Sequence, residues 1–144
     1  MTTVNIYLTY NGNCREAFEF YKTVFKKEFA MINTLGEMPP QDGMPPIPEE
    51  AKDRIMHVTL PISAETRLMG SDNLPSQADQ LVVGNNFSIS VDPKDEKETE
   101  RLFNALKEGG TVTMPLRKTF WNAYFGMLTD KYGIQWMLNC TLTE

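Results

Sequence analysis

One arrangement of apolar and polar residues occurs twice along the chain. Residues 4–10 alternate between the two kinds, which is typical of a strand with one buried face. A helix follows, and its apolar positions are Cys14, Ala17, Phe18, Tyr21, Val24 and Phe25. The same order returns at residues 87–92, and the apolar positions of the next helix are Thr99, Leu102, Phe103 and Leu106. Neither half alone buries both its helix and its sheet, so the repeat predicts two copies of a βαβ-type module.

The remaining elements complete the two modules. Further strands are predicted at 28–33, 55–62, 66–71, 111–114, 124–129 and 134–139, with a hairpin closing each half. Asn13 is predicted to cap the first helix, and Pro93 to start the second, which ends at Gly109 and Gly110. The fold class is therefore α+β. We expect a single domain made of two modules, at about 1–75 and 84–144, joined by a polar linker.

A proline-rich segment, residues 36–53, interrupts the first module. It holds Pro39, Pro40, Pro45, Pro46 and Pro48, and proline supplies no backbone donor to a helix or a sheet. A long loop is predicted, either a mobile surface segment or one that covers a site or a partner subunit.

Composition and charge narrow the class of function. The net charge of −5 argues against nucleic-acid binding, which needs a basic patch. Neither a membrane span nor a signal peptide is readable, so we expect a cytoplasmic protein without a membrane partner. The two cysteines, Cys14 and Cys140, form neither a disulfide framework nor a metal motif, and they are predicted to be reduced thiols in or near the core.

Several motifs resemble one known family. The chain resembles PhnB-like proteins of the glyoxalase/bleomycin resistance/dioxygenase superfamily, also called vicinal oxygen chelate proteins, at residues 7–13, 17–18, 20–21, 55–58, 85–89, 120–121, 124–130 and 132–137. The resemblance implies paired βαβββ modules with curled mixed sheets around a cavity, in a homodimer. Some relatives are named for 3-demethylubiquinone-9 3-methyltransferase activity, yet the glycine-rich turn that would hold S-adenosylmethionine is not readable in this sequence.

Metal-using relatives place their ligands on the cavity face of the first and last strand of each module. Carried onto this chain, that pattern points to Asn5, Met69, Asn86 and Met137. Neutral amides and thioethers hold a hard divalent ion poorly. We therefore expect no metal site and no cofactor.

His57, the single histidine, is the candidate catalytic residue. Alternation in its strand puts Met56, Val58, Leu60 and Ile62 on one face, and His57 with Thr59 on the other. Histidine changes charge near neutral pH, which suits proton transfer or binding of an anionic ligand. The alternative is a structural histidine that a neighbouring hydroxyl satisfies.

Hydroxyl and aromatic side chains supply the other candidate ligand contacts. The predicted ligand-binding residues are Tyr7, Thr9, His57, Ser88, Trp121, Tyr124 and Trp136. Buried hydroxyls need partners that a ligand can provide, and aromatic walls suit a flat ligand, although such aromatics also serve as core. Asp53 and Arg54 are predicted at a solvated start of a strand, and Asp72 in a turn or facing the pocket.

Three functions remain open from these observations. The first is a metal-independent, homodimeric protein that binds a small organic molecule. The second is an enzyme on the same fold with His57 as general acid or base, acting as a lyase, an isomerase or a transferase. The third is a protein-interaction module that uses the proline-rich loop 36–53.

Overall fold

The computed structural model describes residues 2–39 and 41–142, so Pro40 of the proline-rich loop lies outside the described residues. The chain forms two compact units, residues 1–82 and 83–144. Each unit has the element order βαβββ and one four-stranded mixed sheet, which confirms the predicted fold class. Among the described residues, no helix has both the length and the apolar character that crossing a bilayer demands.

The first unit packs helix α1 on one face of its sheet. Its elements are β1 (Ile6–Tyr10), α1 (Cys14–Phe25), β2 (Met31–Thr34), β3 (Ile55–Pro61) and β4 (Arg67–Asp72). The strand order is β1-β4-β3-β2, with β1 parallel to β4 and the other pairs antiparallel. All six predicted apolar positions of α1 are buried. Gly70 lets the helix approach, because a Cβ there would lie 2.6 Å from the Phe18 ring.

The start of α1 is held differently from the prediction. Asn13 occupies the cap position, but its side chain makes no capping hydrogen bond. Asp72 instead accepts the N–H groups of Gly12 and Cys14 through Oδ1, and that of Ile55 through Oδ2. Burial, and then the nearby Asp72 carboxylate, raise the pKa of the Cys14 thiol far above its usual range. Cys14 is therefore an inert core thiol, as predicted.

The second unit repeats this arrangement with a shorter first strand. Its elements are β5 (Ile89–Val91), α2 (Glu96–Leu106), β6 (Thr111–Lys118), β7 (Ala123–Thr129) and β8 (Gln135–Thr141), in the sheet order β5-β8-β7-β6. Helix α2 begins at Glu96 and not at Pro93, because Asp95 caps it by accepting the Glu98 N–H. Its predicted apolar positions are buried.

Some predicted bounds of strands and loops were wrong. β1 begins at Ile6, β6 runs on to Lys118, and β5 excludes Phe87, whose side chain is 60% exposed. A register shift opposite β2 changes which residues of β3 face α1: Ile55, Val58 and Leu60 are buried, whereas Met56 is only partly buried. The loop 36–53 also contains a short 3₁₀ turn at Glu49–Ala51.

Candidate functional site

The open face of the first sheet, the face away from α1, brings together several predicted site residues. On β1 it carries Tyr7 and Thr9, which are exposed and alternate with the buried Leu8 and Tyr10. On β3 it carries His57 and Thr59, which flank the buried Val58. The intervening strand β4 contributes Met69, which is paired with both Tyr7 and Thr59. Because directly paired residues share a face, these side chains form one surface across three strands.

His57 is held at one ring nitrogen and loosely contacted at the other. Its Nε2 lies 2.8 Å from Thr59 Oγ1, while its Nδ1 lies 3.5 Å from the Tyr7 hydroxyl. The Tyr7 ring is tilted at 43° to the imidazole, with 5.7 Å between centroids. A separation of 3.5 Å is long for a hydrogen bond to nitrogen, and Tyr7 is 49% exposed. Nδ1 is therefore the ring nitrogen that a ligand reaches most easily.

The acidic side chain of Glu37 is hydrogen-bonded to β2, the strand next to the one that carries His57. Asn33 of β2 is paired with His57, and its amide donates to Glu37 Oε2. Glu37 also accepts hydrogen bonds from the backbone N–H and the hydroxyl of Thr34. These hydrogen bonds lower the pKa of Glu37, and the bond from Asn33 has the largest effect. The carboxylate is thus kept ionised at the point where the chain leaves β2 for the proline-rich loop.

That loop borders a half-open pocket. A cavity of about 420 Å³ is lined mainly by apolar side chains, among them Leu35, Met38, Met44 and Ile47. Lys52 is the charged residue of this lining, and its ammonium is paired with Glu49 at 2.8 Å. The role of the loop as a cover or as a partner surface stays a prediction.

The second sheet separates the predicted residues of its unit between two faces. Ser90 and Phe125 lie on the open face, with Trp121 stacked edge-on against Phe125 at 5.7 Å between centroids. Trp121 is 51% exposed, and Phe120 beside it is 97% exposed. Ser88 lies just before β5 and is partly buried.

Tyr124 and Trp136 lie on the opposite, helix-facing side of the second sheet. Trp136 is buried, and its indole N–H donates to Asp130 Oδ2 at 2.9 Å. Tyr124 donates its hydroxyl to Glu100 of α2 at 3.0 Å. Burial, followed by this bond and the charge of Glu100, raises the pKa of Tyr124. The helix-facing position of Tyr124 could have been predicted from the sequence, because alternation along β7 places Tyr124 on the same face as Gly126 and Leu128.

The two modules can be aligned through their closing hairpins. Pro61 pairs with Arg67 and Thr129 pairs with Gln135, across the equally long connections 62–66 and 130–134. This alignment makes Met69 equivalent to Met137, and the pairing of β1 and β5 then makes Tyr7 equivalent to Ser90. The counterpart of Asn5 is consequently Ser88 and not the predicted Asn86.

The residues at the implied metal positions do not fit a divalent ion. In the first unit these positions carry an amide and a thioether, at Asn5 and Met69, and in the second unit a hydroxyl and a thioether, at Ser88 and Met137. Nor do three or more His, Cys, Asp or Glu side chains cluster for metal binding anywhere in residues 2–39 and 41–142. Asn5 Oδ1 is buried and accepts no hydrogen bond from these residues.

Comparison with known proteins connects this fold to a family. The model of the family described as 3-demethylubiquinone-9 3-methyltransferase matches residues 2–139. The chain is 32% identical to the protein YjdN of Escherichia coli strain K12 over 138 residues, which cover 92% of this chain and 91% of YjdN.

Solved structures share the fold. Protein PA1353 of Pseudomonas aeruginosa is 40% identical, with a TM-score of 0.82 and 98% of both chains covered. The PhnB protein of Bacillus cereus is 25% identical, with a TM-score of 0.71 and coverage of 97% of this chain and 100% of the other. A glyoxalase/bleomycin resistance protein/dioxygenase family enzyme from Burkholderia phytofirmans is 18% identical with a TM-score of 0.60, over 97% of each chain, and shows a likeness of fold alone.

Proposed function

This chain belongs to the family described as 3-demethylubiquinone-9 3-methyltransferase, PhnB-like proteins of the vicinal oxygen chelate superfamily, and we propose that it is a metal-independent protein that binds a small organic molecule. The proposed site is the open face of the first sheet, around His57. The roles of Ser88 and Trp121, which lie in the second unit, stay predictions of the sequence analysis. Tyr124 and Trp136 are not part of the proposal, because each is bonded to an acidic side chain on the helix-facing side.

The unequal contacts of the His57 ring carry this proposal. Thr59 fixes Nε2 at 2.8 Å, so the ring has one orientation before any ligand arrives. Nδ1 has only the long contact to Tyr7, and the exposed phenol can move away from it. A neutral imidazole offers one donor and one acceptor, so a ligand that replaces Tyr7 meets a positioned polar group.

The surroundings of His57 indicate the chemistry of the ligand. Hydroxyls of Tyr7 and Thr9 offer donors and acceptors, and Met69, paired with Tyr7 on the neighbouring strand, offers a polarisable apolar surface. The buried Oδ1 of Asn5 lacks a donor among the described residues and precedes Tyr7 by two positions. Buried acceptors are normally satisfied, so a ligand N–H or O–H would complete this one. We expect a small organic molecule with hydrogen-bonding groups on an apolar body.

Alanine at position 57 is expected to weaken ligand binding about tenfold, the value of one good uncharged hydrogen bond. A thermal-shift screen of small organic compounds first identifies molecules that raise the melting temperature of the wild-type protein. Titration of one such compound against wild type and His57→Ala then measures the loss. Thr59→Val should weaken binding less than His57→Ala does, because it removes the hydrogen bond that orients the imidazole but keeps the imidazole itself.

Thr23→Val is the matched control for Thr59→Val, since it makes the same change on the exposed face of α1. It should bind the compound as the wild type does. Equal affinity of His57→Ala and wild type would show that His57 is not part of the site.

Metal independence is tested with protein dialysed against EDTA, which should keep its full ligand-induced rise in melting temperature. Loss of that rise, with recovery on adding zinc or manganese, would overturn that part of the proposal.

An enzyme is the second candidate, because the same geometry suits proton transfer. General acid–base catalysis uses a positioned side chain within hydrogen-bond reach of the substrate, and an imidazole held at one nitrogen can offer the other nitrogen in this way. Turnover of a bound compound that His57→Ala abolishes, with binding retained, would favour this function. Binding without turnover would favour the first candidate.

Exposed aromatic side chains of the second unit support the predicted homodimer. Phe120 and Trp121 are large, adjacent and solvent-facing, and aromatic residues are enriched at the centres of protein interfaces. Light scattering should give twice the 16.4 kDa mass of the chain. A mass of one chain at micromolar concentration would exclude a stable homodimer.

A further inference from the structure

A cleft lies on the helix-facing side of the second unit, between α2 and the edge strand β6. It has a volume of about 310 Å³, and the side chains that matter for its chemistry are Glu100, Phe103, Asn104, Lys107, Leu116 and Tyr124. This volume is at the small end of sites that hold organic ligands. The cleft is on the face opposite to Ser90 and Phe125, so it is distinct from the open sheet faces.

The local structure explains why the cleft exists. The pairing of β6 with β7 is irregular on both sides of Met114, and Pro115 has no N–H to contribute to the ladder. Gly126 sits beneath Phe103 and Leu116, and a Cβ there would lie 2.8 Å from the first and 2.9 Å from the second. The missing side chain therefore lets these two residues form an apolar floor.

Two side chains of opposite charge, Glu100 and Lys107, lie at the two ends of this apolar floor. Glu100 binds the Tyr124 hydroxyl through Oε1, and its Oε2 accepts no hydrogen bond from the described residues. Lys107 forms no ion pair among those residues, and Asn104, which also lines the cleft, lies between Glu100 and Lys107 along the helix. Lys107, which follows the last residue of α2, lies seven positions after Glu100, which is about 10 Å along the helix axis. An extended peptide of three residues spans about the same length.

We propose that the cleft between α2 and β6 binds a short extended peptide of about three residues with both termini free. Its ammonium group pairs with Glu100 beside Tyr124, and its carboxylate pairs with Lys107 and Asn104. An apolar central side chain packs on Phe103 and Leu116. The two charges of the cleft thus set both the direction and the length of the ligand.

The probe for this proposal is the tripeptide Ala-Leu-Ala, and its binding to the 144-residue chain is measured by NMR. Saturable shifts confined to α2, β6 and Tyr124 are expected at millimolar concentration. Glu100→Gln and Lys107→Gln should each weaken binding about fivefold, the value of one exposed ion pair. Glu100→Gln keeps an oxygen for the Tyr124 hydroxyl, so the loss reports the charge. Binding should also weaken as salt concentration rises.

Two controls separate this site from others. Lys97→Gln removes an exposed charge on α2 outside the cleft and should leave the affinity unchanged. His57→Ala should also leave it unchanged, so failure of the proposed small-molecule site does not affect this result. N-acetyl-Ala-Leu-Ala-amide, which lacks both charges, should bind at least tenfold more weakly. Equal binding of the capped peptide, wild-type affinity in both glutamine variants, or no saturable shift at all would each overturn the proposal.

Discussion

Replacing Asp72 with alanine is expected to lower the free energy of unfolding by about 3–5 kcal/mol. Asp72 accepts backbone N–H groups of Gly12, Cys14 and Ile55 at 2.8–3.0 Å, and all of them lose their acceptor together. The residue is buried, so water does not easily replace the carboxylate. These bonds join the start of α1, the start of β3 and the end of β4.

Urea unfolding followed by circular dichroism measures this effect, with a fall in melting temperature of about 10 °C or more as a second readout. Asp72→Asn should lie between wild type and Asp72→Ala, because its amide keeps one oxygen but turns an NH₂ group toward a backbone donor. Asp53→Ala is the matched control, since Asp53 is exposed, and its effect should stay within about 0.5 kcal/mol. A loss below 1 kcal/mol for Asp72→Ala would show that these bonds contribute little.

The buried faces of the helices were predictable from the sequence, because each helix packs a single row of apolar side chains against its sheet. The apolar spacing of α1 and α2 identified every residue that the two helices bury. Strand ends were less predictable, because a strand ends where its partner stops pairing with it. Phe87 continues the alternation of β5, yet β8 pairs only with Ile89–Val91, so Phe87 is exposed. The bulge in the pairing of β2 with β3 also has no signal in the sequence, and because of it Ile55 lies on the buried face of β3.

The candidate site was predictable in its residue types and less so in its geometry. Alternation correctly put His57 with Thr59 on one face of β3, and Tyr7 with Thr9 on one face of β1. The approach of Tyr7 to His57 depends on β4 lying between their strands, and a parallel pairing of β1 with β4 joins residues distant in sequence. Residue type alone grouped Tyr124 and Trp136 with the ligand contacts, whereas their strand positions put both on the helix-facing side.

The indole of Trp136 is expected to contribute to stability through Asp130 as well as through packing. Asp130 is buried, and its Oδ1 accepts the N–H groups of Tyr132 and Ile134 at 2.8 and 3.0 Å. Its Oδ2 accepts the Trp136 N–H at 2.9 Å. Asp130→Ala removes the acceptor of all these donors and should cost about 3–5 kcal/mol by urea unfolding. Asp130→Asn keeps an oxygen for the turn and should cost less.

A double-mutant cycle separates the indole bond from the turn. Trp136→Phe keeps an aromatic ring in the core but removes the donor, and combining it with Asp130→Ala removes both partners of the bond. A hydrogen bond to a charged acceptor predicts a coupling energy of about 1.5–3 kcal/mol between the two positions. Tyr132→Phe paired with Asp130→Ala is the control cycle, because Asp130 accepts a hydrogen bond from the backbone N–H of Tyr132, and its coupling should be near zero. A coupling below about 0.5 kcal/mol in the first cycle would mean that Trp136 stabilises the unit by packing alone. The carboxylate would then act only on the turn that joins β7 to β8.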